Sequence, residues 1–92
     1  MSNENHDKLD SPVYAYVSPE RLFVRLKSGV EISTPLWWYP RLFNASLAER
    51  QDMEYMADGI HWPKVDEDLS IRGMLAGVPA PGAVPPVMDA AE

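Results

Sequence analysis

The chain of 92 residues contains no cysteine. This absence excludes disulfide bonds and thiolate metal ligands, and it is typical of proteins in a reducing cytoplasm. The polar segment at residues 1–12 also lacks the basic start and the apolar stretch of a signal peptide. No apolar run approaches the ~18 residues of a membrane-spanning helix. We therefore expect a cytoplasmic protein that makes no contact with a membrane.

A surplus of basic charge is missing as well, because the formal net charge is −6. Residues 13–77 contain seven basic and nine acidic side chains, so that segment is close to neutral and much of the acidity belongs to the two ends. Binding to nucleic acid depends on a positive field that releases counterions from the phosphates. The charge pattern therefore argues against direct binding to nucleic acid.

The motifs of common enzyme classes are also absent. The five glycines are dispersed, which excludes a glycine-rich phosphate loop. No serine lies in a recognisable nucleophile elbow. We predict no catalytic residue, no cofactor and no metal ion.

Composition divides the chain into three segments. Residues 1–12 are predicted to be a disordered tail, and residues 13–77 a single domain. Residues 78–92 are rich in proline and alanine and show no periodicity, which indicates a flexible tail.

Within the domain, the first half is predicted to form three strands. Residues 13–17 are rich in β-branched and aromatic side chains. Over 22–27 an apolar set of Leu22, Val24 and Leu26 alternates with Phe23, Arg25 and Lys27, and over 30–33 apolar residues alternate with polar ones. Turn residues at 18–21 and 28–29 connect these segments. The pattern indicates an antiparallel β-meander with short connections.

The second half is predicted to mix short helices with one more strand. A helix is expected from Leu36 or Tyr39 to Phe43, and Ser46 with Glu49 forms the pattern of a capping box at the start of a second helix. Residues 54–57 are a candidate fourth strand.

The last part of the domain is predicted to be a strand followed by a helix. Residues 59–62 are expected to continue the fourth strand after a kink. Asp66, Glu67 and Asp68 are expected to open a final helix, since acids favour the positive end of the helix dipole, with Gly77 just past its end. The fold class is therefore α+β, with a small antiparallel sheet of three to four strands, the β-meander first, packed with two or three short helices.

The domain contains an ordered set of tryptophan, proline, acidic and glycine residues with their neighbours: Trp38, Pro40, Arg41, Leu42, Ala45, Glu49, Arg50, His61, Trp62, Pro63, Asp66, Glu67, Asp68, Leu69, Ser70, Gly73, Leu75 and Gly77. This set resembles the bacterial family called domain of unknown function 2442 (DUF2442). It implies an α+β fold and supplies no established catalytic residues. Some members of the family look like a module joined to a helix-turn-helix domain. Others are encoded beside another small protein, an arrangement similar to toxin–antitoxin pairs.

Two sets of residues are candidates for a functional site. Consecutive residues cannot both point inward, so one of Trp37 and Trp38 should be near the surface, beside Arg41. Exposed tryptophan and arginine are typical of protein-binding hot spots. The weaker candidate is a polar site of His61, Asp66 and Asp68. Most of the aromatic side chains are expected in the core, taken from the set Trp37, Trp38, Tyr39, Trp62, Tyr14 and Tyr16.

These sets lead to a first hypothesis of a non-enzymatic interaction or regulatory module. It would bind a protein partner, or form a homodimer, through Trp37, Trp38 and Arg41 or through an open sheet edge, and it could be antitoxin-like. The alternative is a small hydrolase or metal-dependent enzyme that uses His61 with Asp66 and Asp68. A further alternative is a mobile-element inhibitor that masks the surface of a host protein.

Overall fold

The computed structural model of the chain describes residues 9–86. The remaining residues of the two predicted tails lie outside this range. The described part contains two three-stranded antiparallel sheets, a 3₁₀ helix and three short α-helices. In chain order these are β1 (Pro12–Val17), β2 (Arg21–Leu26), β3 (Glu31–Pro35), the 3₁₀ helix (Leu36–Trp38), α1 (Pro40–Phe43), α2 (Leu47–Gln51), β4 (Glu54–Met56), β5 (Gly59–Trp62), β6 (Glu67–Ser70) and α3 (Ile71–Ala76). The predicted α+β class is confirmed.

The first sheet is the predicted meander, with the strand order β1-β2-β3. In β2 the burial alternates strictly, so that Leu22, Val24 and Leu26 face the core while the residues between them face solvent. This is the pattern of an antiparallel sheet with one covered face.

The second sheet was not foreseen as a separate unit. Residues 59–62 do not continue β4 after a kink: the chain reverses at 57–58, and β5 pairs antiparallel with β4. The predicted helix start at Asp66 to Asp68 is also wrong, because Glu67 to Ser70 form β6, which pairs with β5. Asp66 has a φ of 54°, outside the helical region. Burial then alternates along β6, which is a strand period.

Capping residues predicted from the sequence are found at two helix ends. At the start of α2, the Glu49 backbone N–H donates to Ser46 Oγ (3.2 Å), and the Ser46 backbone N–H donates to Glu49 Oε1 (2.8 Å). The predicted capping box is therefore confirmed. Helix α3 begins after Ser70, whose Oγ accepts the Gly73 N–H (2.8 Å), and Gly77 ends it in the left-handed conformation.

Both sheets contribute to one core, and Trp62 is its largest fully buried side chain. Its indole N–H donates to the carbonyl of Arg50 (2.9 Å), which ties β5 to the end of α2. The other fully buried side chains are Tyr39, Leu22, Leu36, Leu42, Ile60 and Val24. Among residues 9–86, no helix has the length and apolar character needed to cross a membrane.

Candidate functional site

The three residues of the predicted aromatic site lie on the 3₁₀ helix and on α1. Trp37 and Trp38 are both half-buried, and Trp38 packs against the core and edge-on against Tyr39 (centroids 6.3 Å apart). The Trp38 carbonyl accepts the Ala80 N–H (2.9 Å). Arg41 is exposed, and its Nη1 donates to the carbonyl of Asp66 (2.5 Å). Arg41 is thus held beside the predicted polar site.

Of the predicted polar site, His61 and Asp68 are in direct contact. They are opposite each other in β5 and β6, and His61 Nδ1 donates to Asp68 Oδ1 (2.6 Å). Glu54 of β4 is opposite His61 on the other side, so the three residues form one row on the same sheet face. Asp66 lies in the turn before β6, and its side chain is 88% exposed.

Residues from both predicted sites line one concave feature, which we call the acidic cleft. It has a volume of about 390 Å³. Its lining residues are Pro40, Arg41, Asp66, Glu67, Asp68, Ala80 and Pro81. The apolar walls come from prolines and an alanine, whereas the charged groups are three carboxylates and one guanidinium. With all four ionised, the charge of the cleft is therefore −2.

Glu67 is the member of the cleft that the sequence interpretation missed, since it was assigned to a helix start. It is 7% exposed and is opposite Trp62 in the sheet. Burial raises the pKa of the Glu67 carboxyl, Arg41 lowers it, and Asp68 and Asp66 raise it further. Glu67 itself lines the acidic cleft together with these three charged residues.

Replacing Glu67 with glutamine is expected to flatten the dependence of stability on pH. A raised pKa in the folded state means that protonated Glu67 contributes stability below the ordinary pKa of 4.5, and that this stability is lost as the pH rises through the raised value. Glutamine does not ionise. The free energy of unfolding of Glu67→Gln should therefore increase relative to that of the wild type as the pH rises above 4.5.

Urea unfolding from about pH 4 to about pH 7 measures this difference in the free energy of unfolding. The matched control is Glu20→Gln, since Glu20 is exposed in the turn between β1 and β2. If the difference in the free energy of unfolding between Glu67→Gln and the wild type does not change with pH, the raised pKa of Glu67 is contradicted.

A second surface, the aromatic face, lies on the solvent side of the first sheet. It consists of Tyr14, Tyr16 and Phe23, which are 50%, 53% and 42% exposed. Tyr16 and Phe23 are cross-strand partners that stack with their ring centroids 6.1 Å apart. The guanidinium of Arg25 lies 5.6 Å from the centre of the Tyr14 ring, within cation–π range. Tyr14 and Tyr16 are therefore exceptions to the expectation that most of the aromatic side chains lie in the core.

The open sheet edge predicted from the sequence is partly covered at β1. The Ala15 N–H donates to the Tyr55 hydroxyl of β4 (2.8 Å), and Ser11 Oγ donates to the carbonyl of Ala57 (2.6 Å). A groove of about 540 Å³ remains between β1, α2 and β4. The two sheets therefore meet at this edge through side chains, and a backbone ladder does not join them.

Within residues 9–86, no three side chains of histidine, aspartate, glutamate or cysteine are grouped closely enough to hold a metal ion. None of the hydrogen bonds among the described residues involves His61 Nε2. In a catalytic triad, a carboxylate orients the histidine and a nucleophilic hydroxyl bonds to the second ring nitrogen. His61 and Asp68 match the first of these contacts, and no hydroxyl of the described residues makes the second.

Comparison with known proteins gives a family and one solved structure. The family model described as "Protein of unknown function (DUF2442)" matches residues 15–80. The crystal structure of a protein of unknown function from Rhodospirillum rubrum ATCC 11170 is similar, with 28% sequence identity and a TM-score of 0.66. The similarity covers 79% of this chain and 93% of that chain. Among curated proteins, no match is found.

Proposed function

This chain belongs to the family described as protein of unknown function (DUF2442), and we propose that it acts as a non-enzymatic protein-interaction module. Neither the family description nor that of the similar structure indicates enzymatic activity. The proposal rests on one observation, the exposed aromatic face of the first sheet.

The aromatic face differs from the usual solvent side of an antiparallel sheet, which is polar. Tyrosine, phenylalanine and arginine are enriched in the centres of protein interfaces, whereas lysine and glutamate are depleted. Tyr14, Tyr16 and Phe23 form a contiguous group with Arg25, and each of the three rings is about half exposed. A protein partner, or a second copy of the chain, would remove this apolar surface from water.

A regulatory, antitoxin-like role is the concrete form that we propose for this module. Its support is the resemblance to family members that are encoded beside another small protein, so it is an argument by analogy. The product of the adjacent gene is the first partner to test, by co-expression and co-purification. A partner that is recovered with the wild type and lost with variants of the aromatic face would support this role.

The hydrogen bond of 2.6 Å between His61 and Asp68 favours a second candidate, a small hydrolase. A carboxylate that orients a histidine is half of the required arrangement. The interaction proposal accounts for the same pair as a cross-strand contact, so His61→Ala should leave the biological function unchanged. A complete loss of function in a folded His61→Ala protein would favour the enzyme.

The proposed function is tested by removing the aromatic face without disturbing the core. The test variant is Tyr16→Ser with Phe23→Ser, and the matched control is Val30→Ser with Val84→Ser, because these valines are 53% and 72% exposed elsewhere. The free energy of unfolding should fall by less than about 1 kcal/mol in the test variant, since only one cross-strand pair is lost.

Two measurements are then compared across the three proteins: sedimentation equilibrium of the pure chain, and retention of the adjacent gene product by the immobilised chain. The wild type and the valine control should behave alike in forming a homodimer or retaining the partner, and the test variant should do neither. If the test variant associates as strongly as the control does, the aromatic face is not the binding surface.

A further inference from the structure

Two arginine side chains border the aromatic face along β2. Arg21 and Arg25 each lie two residues from Phe23, so all three point to the solvent side, spaced by about 7 Å along the strand. In the neighbouring strand β1, Tyr16 is opposite Phe23. Tyr14 is opposite Arg25. The exposed rings therefore lie between two guanidinium groups.

The two guanidinium groups differ in their partners. Arg25 Nε donates to Glu31 Oε2 (2.8 Å), so the charge of Arg25 is compensated. Arg21 donates from Nε to Ser33 Oγ (2.6 Å) and from Nη2 to the Ser33 carbonyl (3.1 Å), and both acceptors are neutral. Among residues 9–86, no carboxylate forms an ion pair with Arg21. The uncompensated charge of this surface is therefore positive and lies beside Phe23.

Arg21 is also held in position. Its two hydrogen bonds to Ser33 fix the guanidinium on the exposed side of the sheet, and its other N–H groups donate to none of the described residues. A guanidinium that is already fixed loses less conformational entropy when it pairs with a planar anion. The structure thus presents an oriented donor for an anion next to an exposed ring.

We propose that the aromatic face binds a segment of a different protein that carries a carboxylate close to an apolar side chain. The carboxylate pairs with Arg21, and the apolar side chain packs on Phe23 and Tyr16. In an extended segment, side chains two residues apart have the same spacing of about 7 Å. The inference rests on the proposed function, since it names the chemistry of the partner for the same surface.

A second copy of the chain fits this surface less well. A closed dimer of identical subunits usually places the same patch of both against each other. Two Arg21 guanidinium groups would then enter one interface, and Glu31, the acidic residue of the face, is already paired with Arg25. The net charge of −6 on each chain adds repulsion at longer range.

A single-stranded nucleic acid also fits less well, although bases stack on exposed aromatic rings. Its backbone carries a phosphate at every nucleotide and requires a positively charged groove. Glu31 lies on the same face as the rings, and Glu20 is exposed in the adjoining turn. A segment with one carboxylate matches the single uncompensated guanidinium better.

The probe is a blocked peptide of glycine and serine that carries glutamate and phenylalanine two residues apart. One counterpart has glutamine in place of the glutamate, and a second has serine in place of the phenylalanine. Binding to the full-length chain is followed by ¹H–¹⁵N chemical-shift changes at low salt. The glutamate–phenylalanine peptide should give saturable shifts at Tyr16, Arg21 and Phe23. Each counterpart should bind about fivefold more weakly.

Two variants of the chain locate the anion-binding group. Arg21→Gln should weaken binding of the glutamate–phenylalanine peptide by about fivefold and abolish the preference for glutamate over glutamine. Arg72→Gln makes the same charge change at an exposed position of α3 and should do neither. Glutamine can still donate to Ser33, so we expect Arg21→Gln to fold. If it does not, salt of about 0.5 M should abolish the preference for glutamate in the wild type.

Three results would overturn the inference: no saturable shift, equal affinity for the glutamate and glutamine peptides, or unchanged binding in Arg21→Gln. An oligouridine of about eight nucleotides that binds the same residues more tightly than the peptide would assign the surface to nucleic acid. A homodimer of the pure chain that is lost in Tyr16→Ser with Phe23→Ser would assign it to a second copy.

Retention of the adjacent gene product separates this inference from the proposed function. The expected result is loss of retention with Arg21→Gln and with Tyr16→Ser plus Phe23→Ser, and normal retention with Arg72→Gln. If only the Tyr16 and Phe23 variant loses the partner, the aromatic face is the binding surface and the pairing of a carboxylate with Arg21 is wrong. If that variant retains the partner, the proposed function fails, whereas the peptide titrations still decide the role of Arg21.

Discussion

Replacing Trp62 with alanine is expected to remove most of the stability of the fold. Trp62 is fully buried and is the largest such side chain, and its N–H is bonded to the carbonyl of Arg50. A buried tryptophan changed to alanine costs about 3–5 kcal/mol, because apolar contact is lost and a cavity remains. Domains are stable by about 5–15 kcal/mol, and small ones tend toward the lower end. Urea unfolding should show that the free energy of unfolding falls to a small fraction of the wild-type value.

Two control variants separate the loss of the indole hydrogen bond from the loss of buried ring volume. Trp62→Phe keeps much of the ring volume and leaves the carbonyl of Arg50 without its donor, so it should cost about 1–3 kcal/mol. Trp38→Ala removes an indole that is only half-buried, and it should cost less than Trp62→Ala. Equal losses for Trp38→Ala and Trp62→Ala would contradict the placement of Trp62 at the centre of the core.

The second large effect is expected for Gly59→Ala. A Cβ at Gly59 would lie 2.1 Å from the carbonyl oxygen of Leu69, which is a backbone atom of the neighbouring strand. The clash cannot be relieved by a side-chain rotation, so β5 and β6 would have to separate where they pair. We expect a loss of at least about 3 kcal/mol, as for severe overpacking.

The matched control is Gly29→Ala in the turn between β2 and β3. Gly29 has a φ of +99°, but a Cβ there would meet no atom within 4 Å. Its substitution should cost only the backbone strain, about 1–2 kcal/mol. Urea unfolding of both variants gives the comparison, and a Gly59→Ala protein as stable as Gly29→Ala would show that the strands are less close than described.

The first sheet and the helix ends could be predicted because their signals are local. The alternation in β2, the turn residues and the capping box of Ser46 and Glu49 each act within a few residues. The second sheet could not be predicted in the same way. Three adjacent acids at 66–68 satisfy the rule for a helix start, and only pairing with β5 makes Glu67 to Ser70 a strand. Here a tertiary contact overrides local preference.

The candidate site was only partly predictable, for a related reason. Arg41, Asp66 and Asp68 were identified, but as members of two separate sites, and the 3₁₀ helix with α1 brings them together. The burial of Glu67 depends on its position opposite Trp62 and on the return of the chain at Ala80. In β1 both alternating sets are apolar, so periodicity does not say whether Tyr14 and Tyr16 face the core. For Phe23 the sequence does indicate exposure, because Phe23 alternates with Leu22 and Val24, which are buried.

The most direct test of the interaction proposal compares two phenylalanines in the same molecule. Phe23 lies on the aromatic face and is 42% exposed, whereas Phe43 lies on α1 and is 39% exposed. Hydroxyl-radical footprinting measures the oxidation of each ring in the dilute purified chain and in the cells that encode it. The proposal predicts that Phe23 is protected in the cell while Phe43 reacts as it does in the purified chain. Equal reactivity of the two rings in both settings would contradict it.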